Sequence, residues 1–239
     1  IRHAGVSRGV NYLYELFMLR LSDVVLANSQ AGLDYFGIKN GYVLYNLVSR
    51  ERFTPTQASI TNIVMNANFS DYKDHMTFFL ACRKLISEGI IDGVGLIGDG
   101  KYRRTYEKIT RIWDLSDKVT FHGQNNNVEE ILTQYGIGVL CSTKRYREGI
   151  SNSLLEYMGA GLIAIGTNVG ATAEIITDSV NGFLFEAENP DSLYSRIRYS
   201  INHPEEMAAI RQNAYQTLDE KFNADKNCTK LLEVYRSVV

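Results

Sequence analysis

The stretch GIGVLCSTKRYREGISNSLLEYMGAGLIAIGTNVGATAEIITDSVNGFLF (residues 136–185) alternates short apolar runs with helical patterns. Its runs GIGVLC (136–141), LIAIG (162–166) and GFLF (182–185) carry no charge, as strands buried on both faces do. Between them, 152–160 and 172–176 read as helices. Toward the N-terminus the alternation continues, with strands at 62–67, 93–98 and 118–122 and helices at 74–88, 102–113 and 128–135. Such a pattern predicts an α/β fold, a doubly wound parallel sheet with helices on both faces. After Pro190 only helical patterns remain, at 191–201, 204–218 and 224–238, and Pro204 suits a first helical turn.

The first 60 residues read differently. Residues 11–21 and 30–36 have helical patterns, VVLAN (24–28) and YVLYN (42–46) are short strands, and 47–59 shows little periodicity. With charge, polar residues and Pro55, that stretch reads as a linker. The chain opens on Ile1 in mid-pattern, as a fragment would.

At 239 residues there is room for one large domain, or for one domain and part of a second. The apolar share of 45% is that of a core-forming protein. A net charge of −2 lacks the basic excess of nucleic-acid binders. Cys82, Cys141 and Cys228 are far apart and odd in number, which argues against a disulfide framework or zinc site and for a reducing compartment. No apolar run approaches the roughly 18 to 20 residues of a membrane span, and no signal peptide is visible.

Ligands of open α/β sheets bind beyond the carboxyl ends of the strands. Gly98-Asp99-Gly100, His122-Gly123-Gln124 and the loop 143–151 all fall there. In the last of these, Glu148 and Glu156 flank a segment, Gly149-Ile150-Ser151-Asn152, that opens an apolar helix. Exposed N–H groups at a helix start attract a diphosphate. Ionised carboxylates accept hydrogen bonds from ribose and sugar hydroxyls. The combination suits a sugar nucleotide. Ser151 or Asn152 also suits an N-cap, which explains one polar residue of the segment but not the preceding Glu-Gly. A nicotinamide-dependent dehydrogenase would need G-x-G-x-x-G after the first strand, and ANFSDYKDH (67–75) contains no glycine.

Seven collinear pieces together resemble the C-terminal half of a retaining, nucleotide-sugar-dependent glycosyltransferase of the GT-B fold, family 4 type. They are NSQAGLDYFG (28–37), YNLVSRERFTP (45–55), ANFSDYKDH (67–75), LIGDG (96–100), VTFHG (119–123), the E-x7-E element EGISNSLLE (148–156), and MGAG with NVGATAEII and NGFLF (158–185). The resemblance implies a Rossmann-like sheet that binds the donor at 61–239, an interdomain linker at 46–60, and an acceptor-binding domain of which 1–45 is the tail. A donor-side module that binds nucleotide sugar without catalysis is the alternative.

By the same resemblance, Lys73 is the phosphate-binding lysine, a compact ammonium that neutralises the leaving group. Relatives carry an arginine five positions earlier, where this chain has Asn68, which supplies neither charge nor a guanidinium fork. Arg145 and Arg147 are the candidates to replace it. Glu156 is implied to hold the ribose diol. Glu148 is implied to orient the donor sugar rather than to form a covalent bond. Gly98, Asp99 and Gly100 form either a plain turn or a ligand contact. His122 and Gly123 would lie near the base, with a structural role for His122 favoured over a catalytic one. Gly170-Ala171 and Ile163 depart from the usual paired glycines and proline without disturbing packing.

No Asp-x-Asp occurs, so no metal or other cofactor is expected. The basic stripe Lys101, Arg104, Lys108 and Arg111 reads as a solvated helix face, with contact to phosphate or to the anionic lipid of a membrane surface as its second reading. The implied partners are the nucleotide sugar, a saccharide or lipid-linked acceptor and the missing N-terminal domain. The family places such enzymes in the cytoplasm or against the inner face of the membrane, in surface polysaccharide or glycolipid synthesis. Alone, this fragment is expected to turn over little.

Overall fold

The computed structural model describes residues 1, 10–146 and 148–238. In chain order it runs α1 (Val10–Arg20), β1 (Leu26–Ala27), α2 (Gln30–Phe36), β2 (Tyr42–Val43), β3 (Asn62–Asn66), α3 (His75–Ser87), β4 (Gly93–Ile97), α4 (Arg103–Ile112) and β5 (Val119–Gly123). It continues α5 (Val128–Leu132), β6 (Ile137–Leu140), α6 (Asn152–Gly159), β7 (Ile163–Thr167), α7 (Thr172–Ile175), β8 (Phe183–Phe185), α8 (Pro190–Asn202), α9 (Pro204–Lys221) and α10 (Ala224–Val238).

Strands β3 to β8 form one parallel sheet in the order β5-β4-β3-β6-β7-β8. Successive strand residues face opposite layers. Ile63, Met65, Ile137 and Val139 pack with Phe78, Phe79 and Leu85 of α3 and with Leu193 and Ile197 of α8. Val64, Leu140 and Ala164 pack on the other face with Leu154 and Met158 of α6 and with Ala214 and Leu218 of α9. Both faces of the central strands are therefore dry, which is why their sequences are continuously apolar. Gly138 of β6 lies under the fully buried ring of Tyr157, where a Cβ would collide.

The first 45 residues carry a separate pair, β1 with β2, also parallel. Each strand is two residues long, shorter than VVLAN and YVLYN suggest, because each pairs only with the other. Helix α5 stops at Leu132 rather than running to Tyr135. The Thr56 hydroxyl explains the stop, since it takes the carbonyls of Thr133 (2.9 Å) and Tyr135 (2.8 Å). Residues 46–60 contain a short 3₁₀ turn at Arg50–Arg52 and pack down through buried Phe53 and Thr56. Among the described residues no helix is long and apolar enough to cross a membrane.

Candidate functional site

The strand order reverses between β3 and β6, and a crevice forms where neighbouring chain connections leave in opposite directions. A cleft of about 460 Å³ opens there. It is walled by the ends of β3 and α6, by the loop after β6, and by Asn28 and Asn46 from the N-terminal segment.

Lys73 reaches this cleft from the turn between β3 and α3. That turn is tied to the end of β6 by Asp74 N to Cys141 O (3.1 Å) and Thr143 N to Tyr72 O (3.1 Å). The lysine Nζ lies 2.6 Å from both carboxylate oxygens of Glu148, with side chains 7% and 21% exposed. Ser142 Oγ donates a further bond to Glu148 (2.9 Å). An ammonium held so closely is a charge kept ready and neutralised within the fold.

Glu148 is followed by Gly149, Ile150, Ser151 and Asn152, all on the cleft wall. Ser151 occupies the N-cap position of α6 with extended backbone, as the sequence suggests, but its side chain makes no capping hydrogen bond. Among the described residues, the first amides of α6 are left without a side-chain cap. Those amides carry the positive end of the helix dipole. Ile150 is buried in the core and anchors the turn.

Glu156 lies one helical turn further, half-buried, and accepts a hydrogen bond from Asn66 Nδ2 at 2.8 Å. Burial pushes its carboxyl above the usual range, partly offset by that bond. Asn66 ends β3 and is tied to α6 at three points. Its side chain meets Glu156, its N–H donates to the Tyr157 hydroxyl, and its carbonyl accepts from Ser153 Oγ (2.7 Å). Nothing in the sequence singled out Asn66; its place at a strand end opposite a helix glutamate was the only signal.

Asn68 lies in the cleft wall, but its amide serves its own turn, donating to Tyr72 Oη (2.9 Å) and accepting from Ser70 Oγ (3.0 Å). Tyr72 stacks on Tyr146 at 4.4 Å across the cleft mouth, an aromatic pair the sequence did not flag. Arg145 is exposed, and Arg147 lies outside the described residues.

The other two expected loops stand apart from the cleft lining. Gly98 and Gly100 have φ of +127° and +149° and press against the backbone of residues 67–69, so glycine is required there for packing. Asp99 closes its own turn onto Gly100 N (2.7 Å) and pairs with Arg103 (3.3 Å). Gly123 O accepts from Gly98 N (2.8 Å), and His122 Nε2 meets Tyr135 Oη at 2.7 Å. Burial lowers the pKa of His122. Among the described residues no group of three His, Cys, Asp or Glu gathers as a metal site would.

Residues 60–217 match the sequence profile of the family described as Glycosyl transferases group 1. N-acetyl-alpha-D-glucosaminyl L-malate synthase of Bacillus anthracis is 26% identical over 174 residues, covering 72% of this chain and 44% of that protein. The lipopolysaccharide core biosynthesis mannosyltransferase LpsB of Rhizobium meliloti is 22% identical, covering 100% of this chain and 70% of its own length. The chain thus spans less than half the length of the first of these relatives. Among solved structures, Anabaena HepE in complex with UDP and glucose superposes with a TM-score of 0.86 at 19% identity, covering 95% of this chain and 67% of that one. The C-terminal domain of the group 1 glycosyl transferase LpcC of Francisella tularensis gives 0.62 at 21% identity, covering 76% and 96%. The profile runs over more than half of the chain and the sheet is built as in these proteins, so this protein belongs to the glycosyl transferases group 1 family, with the fold of a GT-B C-terminal domain.

Proposed function

We propose that this chain is the donor-binding half of a retaining, family 4 type glycosyltransferase that takes its sugar from a nucleoside diphosphate sugar. One observation carries the reading. A buried lysine, a carboxylate and an uncapped helix start converge on the cleft at the reversal of the strand order. In glycosyl transfer, negative charge builds on the departing diphosphate while positive charge builds at the anomeric carbon. The α6 amides and Lys73 receive the diphosphate, and Glu148, released from Lys73, turns to the sugar hydroxyls. Glu156, placed by Asn66, takes the ribose diol. The charge on the leaving group is met by a cation and helix dipole, without a bridging metal.

Residues 61–239 are then the donor domain, 46–60 the linker and 1–45 the tail of an acceptor-binding domain. HepE was solved with UDP and glucose, which supports a nucleotide-sugar donor here and makes UDP the first ligand to test. The reading extends to a saccharide or lipid-linked acceptor and to polysaccharide or glycolipid synthesis, in the cytoplasm or against the inner face of the membrane. The role of LpsB in lipopolysaccharide core biosynthesis supports the polysaccharide part. Without the rest of the acceptor domain, the chain binds donor but turns over little.

Calorimetric titration with UDP, GDP and their sugars tests the proposal. Replacing Glu156→Ala should weaken nucleotide binding about tenfold, the loss of a charged hydrogen-bonding group. Unchanged affinity would refute the ribose assignment, and no binding by the wild-type chain would refute the function.

A further inference from the structure

Asn46 follows the short strand β2, yet its side chain reaches the start of α6. Its amide nitrogen donates to Ile150 O at 2.9 Å and to Asn152 Oδ1 at 2.7 Å, and its oxygen accepts from Asn28 Nδ2 at 3.2 Å. Three carboxamides thus run in a row along the wall of the cleft that holds Lys73 and Glu148. The direction of the row is not arbitrary. A backbone carbonyl only accepts, so Ile150 O fixes which end of the Asn46 amide faces it. The nitrogen must point toward Ile150 and Asn152. The atom of Asn152 that meets it must then be the oxygen, and the Asn152 NH2 is turned away from Asn46.

The same polarity runs the other way. The Asn46 oxygen calls for the Asn28 nitrogen, which leaves Asn28 Oδ1 buried without a partner. A lone buried carbonyl is a cost, and Asn28 bears it while its nitrogen serves the Asn46 oxygen. The segment bearing Asn28 and Asn46 is itself fastened to the sheet. The Glu174 carboxylate of α7 accepts from Gln30 N and Ala31 N, both at 2.8 Å, and from the Tyr45 hydroxyl at 3.3 Å.

We propose that Asn46 is a positioning residue for anion binding, one that holds Asn152 with its donor end toward the cleft and fixes the turn through Ile150. It adds a donor to the free amides at the mouth of α6, suited to the diphosphate of a nucleotide. This rests on the function proposed above. Without Asn46, the Asn152 amide is free to present its carbonyl to the phosphates, where it would repel them. Asn46→Asp goes further, because a carboxylate offers nothing to Ile150 O and calls for the Asn152 nitrogen instead.

The test titrates UDP and GDP, and the nucleoside of whichever binds, into the 239-residue chain and its N46A, N46D, N152A and N46A/N152A variants. N46D should weaken diphosphate binding about tenfold or more, and N46A by less, while nucleoside binding holds. The double variant should lose less than the sum of the N46A and N152A losses, since Asn46 acts in part through Asn152, and a coupled pair is not additive. N46D affinity equal to wild type overturns the inference and leaves the function standing. So does an equal fall for diphosphate and nucleoside, which would mark Asn46 as plain scaffolding. A wild-type chain that binds neither diphosphate removes the function, and this inference with it.

Discussion

Taking the pH from 7 down to about 5 should cost this chain about 2 kcal/mol of stability through His75 alone. The residue opens α3 directly after the Lys73 turn and is 1% exposed. Its ring stacks on Phe69 at 4.3 Å and lies 5.3 Å from the Tyr106 ring, and its Nδ1 faces Lys73 O at 3.3 Å. Burial, with the Lys73 charge adding to it, holds the imidazole pKa down to about 4 from its ordinary 6.5, against partial offsets from the Lys73 and Ala67 backbone. The folded state therefore keeps His75 neutral where the unfolded chain already takes the proton. Stability is full above pH 6.5 and drains away as pH falls toward 4, by roughly 3 kcal/mol in all, with about 2 of that gone by pH 5. Urea unfolding at several pH values, for the wild type and for His75→Gln, reads the effect. The variant will start from lower stability at pH 7, so the slope is what counts, and it should be flatter by about 2 kcal/mol over this interval. Parallel slopes, or an imidazole resonance titrating near 6.5, would refute the buried neutral histidine.

Two further outcomes follow from the same packing. Glu148→Gln removes the counter-charge of a lysine that is 7% exposed, so the unliganded chain should lose on the order of 2 kcal/mol, less than a fully buried pair because Glu148 is partly open to water. UDP carries ribose but no donor sugar, and so has no use for Glu148. The thermal shift it induces should be larger in this variant than in the wild type, and a smaller shift would sink the idea that the two compete for Lys73. Gly138→Ala drives a methyl into the Tyr157 ring between packed layers and should cost about 3 kcal/mol in urea unfolding, whereas a loss below about 1 would mean the sheet yields easily.

The sheet was legible because its strands are dry on both sides. Runs such as GIGVLC and LIAIG have no amphipathic alternative, and their spacing leaves room only for crossovers. The two short strands before residue 46 were overextended for the opposite reason: apolar runs such as VVLAN exceed the single partner available to pair with them. In the site, charged residues were visible and amides were not. Lys73, Glu148 and Glu156 stand at places where a charge needs explaining. Asn28, Asn46 and Asn66 are ordinary strand-end residues until the fold brings together atoms 104 positions apart, as it does for Asn46 and Ile150. Ser151 takes the N-cap position the sequence suggests, but its hydroxyl makes no cap, and the oxygen of Asn152 is engaged with Asn46, a residue no local rule connects to α6. The loops Gly98–Gly100 and His122–Gly123 were open to two readings, turn or ligand contact, because a glycine pattern is the same for both. In the fold Gly98 and Gly100 lie against the backbone of residues 67–69, and Gly98 N donates to Gly123 O.

The Glu174 clamp has a practical corollary for anyone dissecting this protein. A minimal piece trimmed to the family profile, residues 60–217, would retain every strand of the large sheet and still forfeit a side of its own binding mouth. It would also strip away the last turn of α9 with buried Leu218, and Phe222, wholly enclosed and set against Tyr45 at 5.1 Å, so the core they share with α6 would lose part of its cover. The working unit of this fold is wider than its sequence signature, and truncations should start upstream of Asn28 and run past Phe222.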